Sequence, residues 1–175
     1  MFVCFLNFII IFENRNNKFT YNSWRPVTAI ANNSYTSWHT TYNLPQLSSW
    51  LSLLETPPHP NYLSGHSTFS AAAGEVLIQF FGDNTSFTLI TAGYNGYNAT
   101  CAVTTIYGCA YQPSIATSAS YNRTFSTISS AIYEAGHSRL VGGIHFNFSN
   151  IPGIQMARNL GKTVYITLNT ATLGE

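Results

Sequence analysis

The apolar positions of the chain fall into runs of different period, and each period predicts a different element. Phe2 to Phe12 is almost continuously apolar. It is shorter than the roughly 20 residues that span a bilayer, and it lacks a basic start and a small-residue cleavage site, so it reads as a helix segment. A polar patch from Glu13 to Asn17 follows, and the helix is expected to run on through Lys18 until Pro26, which lacks the N–H that a regular turn needs. On such a helix Lys18 and Arg25, two turns apart, would share one face. Residues 31–63 are rich in Asn, Ser, Thr, Tyr and Pro, and Thr56-Pro57-Pro58-His59-Pro60 excludes regular helix or central strand, so a long shaped loop is expected. After Leu63-Ser64-Gly65-His66, apolar residues recur at Phe69, Ala72, Ala73, Val76, Leu77 and Phe80, the spacing of a helix that buries this stripe, with Gly82 as its stop. Residues 83–121 lack helical period and read as an excursion with a short hairpin around Gly108. From Thr124, Phe125, Ile128 and Ile132 predict a helix broken at Gly136, and Ile154, Ala157, Leu160, Val164 and Leu168 predict another. No internal repeat is evident, and 1–175 reads as a single, mainly α domain.

Composition narrows the function. Hydrophobic residues make up 45% and aromatics 15% of the 175 residues, enough for one substantial core. Charged residues are only 7% and the net charge is +1, which leaves no broad field to attract nucleic acid or an anionic membrane surface. No stretch is long enough for a transmembrane segment. Any charge-dependent function is therefore local, and the seven basic residues, Arg15, Lys18, Arg25, Arg123, Arg139, Arg158 and Lys162, are informative because they are few. Cys101 and Cys109 flank a short Thr/Tyr/Gly-containing loop whose pairing the spacing permits but does not require, with Cys4 left over. Five Asn-x-Ser/Thr sequons, at Asn32, Asn84, Asn98, Asn122 and Asn147, suit a secreted or extracytoplasmic chain, but the abundance of Asn, Ser and Thr produces about as many by chance. Neither compartment nor oligomeric state is fixed by these features.

Two short motifs carry candidate chemistry. Ser64-Gly65-His66 opens a helix, where free backbone N–H groups and the dipole favour an anion and a glycine allows close approach, although Ser-Gly is also ordinary capping. In Ser138-Arg139-Leu140-Val141-Gly142-Gly143-Ile144-His145, an Arg and a His frame an apolar, glycine-containing run. A histidine in such a place is more often a hydrogen-bonded core residue than a ligand. His39 and His137 fall in no motif and read as surface or capping residues.

Taken in order, Lys18-x6-Arg25-Pro26, Ser64-Gly65-His66 and Ser138-Arg139-x5-His145 resemble the signature of vanadium-dependent haloperoxidases and type 2 phosphatidic acid phosphatases. The resemblance covers residues 18–165, and Trp24-Arg25-Pro26-Val27-Thr28-Ala29-Ile30, Thr56-Pro57-Pro58-His59-Pro60 and Gly142-Gly143-Ile144-His145-Phe146 are similar to the haloperoxidase-type branch. It implies a helical bundle of the acid phosphatase/vanadium-dependent haloperoxidase type with long irregular loops, a four-helix core with the site at helix ends, and an insertion at 83–121. By the same resemblance, Lys18, Arg25, Ser64, Gly65 and Arg139 would bind the oxygens of vanadate, or of phosphate in the same site. His145 would be the axial metal ligand and His66 the general acid and base. His59, seven before His66, would bear on halide selectivity. Substrates would be hydrogen peroxide and a halide, bromide or iodide foremost, or else a phosphomonoester cleaved through a phosphohistidine at His145.

The chain departs from that pattern at four points. Leu63 stands where the family has proline, and Ser149 where it has an aspartate four residues after the axial histidine, a weaker partner for the ring. His66 and Ser138 are 72 positions apart (138 − 66), longer than the family spacing, and 17 residues precede Lys18, where haloperoxidases carry several helices. Three expectations follow: a haloperoxidase-like enzyme, a phosphatase of the same fold, or a shortened, inactive remnant that only binds an anion.

Overall fold

The computed structural model describes residues 13–31, 50–91, 103–105, 108–110 and 121–172. The expected helix at Phe2–Phe12, Cys4, His39 and the Cys101–Cys109 question lie outside what is described. The elements are α1 (13–21), α2 (Pro26–Ala31), α3 (Gly65–Phe81), β1 (Phe87–Thr91), β2 (Val103–Thr105), β3 (Gly108–Ala110), β4 (Tyr121–Phe125), α4 (Ile128–Val141) and α5 (Asn147–Thr172). The protein is mainly α, a helical bundle in which α3 packs along α5 and α4, while α1 lies across the start of α3 through Asn14, whose amide donates to Thr68 Oγ1 at 3.1 Å.

The helix ends follow local chemistry. Ser64 caps α3, its side chain accepting from Ser67 N, and Gly82, at φ 83°, donates its N–H to Ile78 O. Thr127 caps α4 by accepting from Ser130 N at 3.0 Å, and Ser129 N donates to Asp83 Oδ1 at 2.8 Å. Thr124 and Phe125, which the periodicity assigns to that helix, belong to β4 instead. Lys18 and Arg25 do not share one helix: α1 ends at Asn22, which takes a left-handed φ of 41°, and Pro26 begins α2 rather than ending α1. The first turn of a helix leaves the N–H of that position unused, so proline fits there without loss.

The buried face of α3 keeps Ala72 and Val76 of the expected stripe and replaces the rest. Phe69, Leu77 and Phe80 are exposed, whereas Ser67, Thr68, Ala71, Ala72, Gly74 and Glu75 are buried. Small residues win this face because they let three helices approach closely. A Cβ on Gly74 would lie 2.5 Å from Ile132 Cδ1. The buried polar groups are paired: Ser67 Oγ donates to Asn150 Oδ1 at 2.6 Å, and Glu75 accepts from Arg158 Nε at 2.7 Å. The core proper is Ala71, Ala72, Ile128, Ile132, Ile154, Ala157 and Val164, with Leu160 and Leu168 packed against it. This bears out the stripe expected for α5.

Residues 50–63 form the expected irregular loop. Within 83–121, β2 and β3 pair with Thr105 opposite Gly108, the expected hairpin. Sequence period missed the β1–β4 ribbon, paired from Phe87↔Phe125 to Thr91↔Tyr121, which closes the excursion at its base with stacked Phe87 and Phe125 rings 5.4 Å apart. Among the described residues no helix is long and apolar enough to cross a membrane.

Gly136 does not break α4, which runs through it to Val141. It sits where α4 crosses α5, and a Cβ there would lie 2.3 Å from Asn150 Oδ1 and 3.2 Å from Ser67 Oγ. Gly136→Ala is expected to destabilise the fold by about 1–3 kcal/mol through overpacking, read as a lower urea midpoint with an unchanged slope.

A candidate oxyanion site at the helix ends

Separate elements bring the motif residues to one end of the bundle. Lys18 comes from α1, one turn after Asn14, Arg25 from the residue before α2, His59 from the Pro-rich loop, Gly65 and His66 from the first turn of α3, Arg139 from the last turn of α4, and His145 from the α4–α5 connection. That connection turns at Gly143, with φ 72°, and Ile144 behind His145 is fully buried. Lys18, Arg25, His59, Gly65, His66, Arg139 and His145 all line one cleft of about 580 Å³.

Ser64 is the exception. It is fully buried under the cleft, its Oγ receives Ser67 N at 3.4 Å and lies 2.8 Å from Ser67 Oγ, and it does not reach the lining. Its present role is to start α3 and thereby aim the Gly65 amide. Gly65 itself is not imposed by packing, since a Cβ there would meet Phe69 only at 3.7 Å.

Buried carbonyls anchor the two most buried cations. Lys18 Nζ donates to Leu63 O at 2.6 Å and Pro60 O at 3.0 Å. Arg25 spreads its guanidinium across the loop and the α4–α5 connection: Nε donates to His59 O at 2.9 Å and Nη1 to Ile144 O at 2.7 Å, with Nη1 also 2.9 Å from His145 Nε2 and Nη2 3.0 Å from His59 Nδ1. Both residues are only 5% exposed. Burial first, and then the nearby Arg25 charge, holds Lys18 down at a pKa of about 7. Burial and the Arg139 charge bring Arg25 to about 10. Among the described residues no aspartate or glutamate lines the cleft. The site therefore concentrates positive charge in a desolvated place, where the described partners of Lys18 and Arg25 are neutral carbonyls and imidazoles, an arrangement suited to an anion.

The histidines differ in burial. His145 is buried, and desolvation, followed by the charges of Arg25, Lys18 and Arg139, pushes its pKa to about 2, so the ring is neutral. Its Nδ1 lies 2.8 Å from Asn61 Oδ1 and 3.0 Å from Ser149 Oγ. His66 is exposed at the mouth, and partial desolvation and then Arg139 hold it below the usual histidine value. Desolvation also lowers His59. His137, outside the motifs, is exposed on α4 as expected. Among the described residues no three His, Cys, Asp or Glu side chains converge as they would around a simple metal cation.

Sequence reasoning missed Asn14, which pins α1 in place, Asn61, which holds His145, and Arg15, Phe19 and Phe69, which complete the cleft wall. Asn61 sits inside a loop without period, so only its proximity to Ser64-Gly65-His66 marked it. Arg15 is three residues before Lys18 on α1, one helical turn away, a signal that helical spacing does offer.

Over residues 9–173 the chain matches the model of the VCPO second helical-bundle domain. A bacterial vanadium-dependent iodoperoxidase of known structure shares 35% identity, covering 72% of this chain and 25% of its own, with a TM-score of 0.48. The holo-type bacterial vanadium-dependent chloroperoxidase gives 20% identity, 70% and 24% coverage and a TM-score of 0.51. The apo-type enzyme gives 19%, 94%, 34% and 0.65. The chloroperoxidase likenesses show the fold. The chain spans about a quarter to a third of the length of these solved structures. No protein of curated function matches it.

The His145 shift fixes the sign of one pH effect. A histidine whose folded pKa lies below its unfolded value of 6.5 contributes stability that is complete above pH 6.5 and falls as pH drops toward about 2. His59 and His66 shift in the same direction. Unfolding midpoints are expected to fall between pH 7 and pH 5, and to fall less in His145→Gln; an equally steep fall in that variant would remove His145 as a source.

Proposed function

The chain belongs to the VCPO second helical-bundle domain family of the vanadium haloperoxidases, and on that premise we propose that it is a haloperoxidase-like enzyme. It holds vanadate in the cleft and oxidises a halide, bromide or iodide, with hydrogen peroxide. The observation that carries this reading is that Lys18, Arg25 and Arg139 line one cleft with a neutral His145, whose Nε2 faces Arg25 Nη1 at 2.9 Å, and that no carboxylate stands among the described lining residues. Such a set fits a tetrahedral oxyanion: the cations neutralise its charge, arginine adds forked hydrogen bonds, and the Gly65 N–H at the start of α3 adds a dipole-aligned donor. His145 supplies a lone pair from Nε2. Bound vanadate supplies Lewis-acid polarisation of the oxidant.

The remaining work falls to this chain's own groups. His66, exposed at the mouth and held below the usual histidine value, can accept a proton from an incoming acid and return it to a leaving oxygen. His59 Nδ1 accepts a hydrogen bond from Arg25 Nη2 and so holds one wall of the cleft, from where it can influence which halide enters. Ser64 acts through the cap it forms. A phosphohistidine route asks His145 to act as a strong nucleophile, and its Nδ1 partners are the neutral Asn61 and Ser149 rather than a carboxylate, which favours oxyanion holding over phosphoryl transfer.

Purified protein given orthovanadate and peroxide is expected to halogenate a phenolic dye, with phosphate as a competitive inhibitor. Arg25→Gln and His145→Ala should each lower that rate by about 100-fold or more. Phosphomonoester hydrolysis inhibited by vanadate would replace this reading with the phosphatase one, and silence in both assays would leave an anion-binding remnant.

A further inference from the structure

The Nδ1 side of His145 is held by a residue outside every motif. We propose that Asn61 is the positioning residue of this site: its side-chain oxygen fixes His145 in the tautomer with the proton on Nδ1 and keeps the Nε2 lone pair directed into the cleft. This rests on the oxyanion-holding reading for its purpose, but not for its geometry.

Arg25 Nη1 lies 2.9 Å from His145 Nε2, and a guanidinium only donates, so Nε2 accepts and the ring proton is on Nδ1. At the other end Nδ1 is 2.8 Å from Asn61 Oδ1. Turning that amide around would press its NH2 against the ring N–H, so the oxygen must face His145. The other half of the amide is left over: Asn61 is fully buried and its Nδ2 has no hydrogen-bond partner among the described residues. A buried donor left unsatisfied costs free energy, which the arrangement accepts in order to keep the oxygen on the ring.

Ser149, in the position where the family carries aspartate, does not dictate the tautomer. Its Oγ lies 3.0 Å from Nδ1 and 2.8 Å from Phe146 O, and a hydroxyl can rotate to donate or accept. Arg25 cannot do so in the engaged site either, because it occupies the same lone pair that an anion's central atom would use. Of the two described partners on the far side of the ring, Asn61 Oδ1 is the one that can only accept, and Ser149 Oγ also donates to it at 3.2 Å. The position of Asn61 is fixed by Asn61 N donating to Ser23 O at 3.0 Å and by Tyr62 N donating to Ser23 Oγ at 3.0 Å, which tie the loop to the α1–α2 turn. The result is a neutral substitute for the absent carboxylate: it orients the ring without adding negative charge beside an anion site.

The test is ¹⁵N NMR of the imidazoles in the full chain, without added anion, for wild type, Arg25→Gln, Asn61→Leu and the double variant. Wild type and Arg25→Gln are expected to show His145 with Nδ1 protonated, and the double variant to lose that signature. Loss in Arg25→Gln alone, or retention in the double variant, would overturn the proposal. Should the leucine variants fail to fold by circular dichroism, Arg25→Gln with Asn61→Asp, which keeps the acceptor, must retain the Nδ1 proton; an Nε2-protonated ring there would equally overturn it. Orthovanadate titration supplies the second readout: Asn61→Leu should weaken binding about 10–100-fold. No binding by wild type, with the tautomer results as expected, would sink the oxyanion reading and leave the positioning role standing.

Discussion

Burial of positive charge without carboxylates is the constraint on which the rest depends. The chain has six acidic residues, and none of the described ones lines the cleft where Lys18, Arg25 and Arg139 meet. Ammonium and guanidinium groups taken out of water need compensation, and here carbonyls of residues 59, 60, 63 and 144 give it in part. Burial first, and then a neighbouring arginine, holds Lys18 and Arg25 below their usual values. A multiply charged oxyanion would supply the balance, and the histidine behind it is neutral, so it can offer a lone pair instead of a further charge.

The bundle exists in a form that can hold those charges still. Small residues on α3 and Gly136 on α4 allow close helix contact, and the Ser64–Ser67–Asn150 chain links the start of α3 to the start of α5 at the level of the cleft floor. Ser64 N also donates to Ser149 O at 2.9 Å, so the cap that aims Gly65 and the turn that carries His145 are one hydrogen-bonded unit. Rigidity of this kind is what keeps several donors on one target.

Much of this was legible in the sequence, for reasons that differ by element. Gly82 as a stop, the α5 stripe and the hairpin at Gly108 follow from local period and turn chemistry. The family resemblance of the three motifs singled out Lys18, Arg25, Ser64, Gly65, His66, Arg139 and His145, and all but Ser64 reach the lining. What failed was decided by tertiary contact. Hydrophobic spacing rightly placed Ala72 and Val76 against the core but also chose Phe69, Leu77 and Phe80, which are exposed, while close helix approach added Ala71 and Gly74. Gly136 and Pro26 look like breakers locally, yet one is required by the α5 crossing and the other occupies a first turn. Asn61 carries no periodic signal, since its meaning comes from a ring 84 positions away.

The most direct measurement of the central claim is thermal unfolding of the full chain across a concentration series of orthovanadate and, separately, phosphate, for wild type and Arg25→Gln. A site held ready for an oxyanion predicts a midpoint that climbs with anion concentration, by a stabilisation of about 2.7 kcal/mol at a hundred times the Kd, and that stays flat in the variant. A wild-type midpoint indifferent to both anions into the millimolar range, or one that climbs equally in Arg25→Gln, would contradict it.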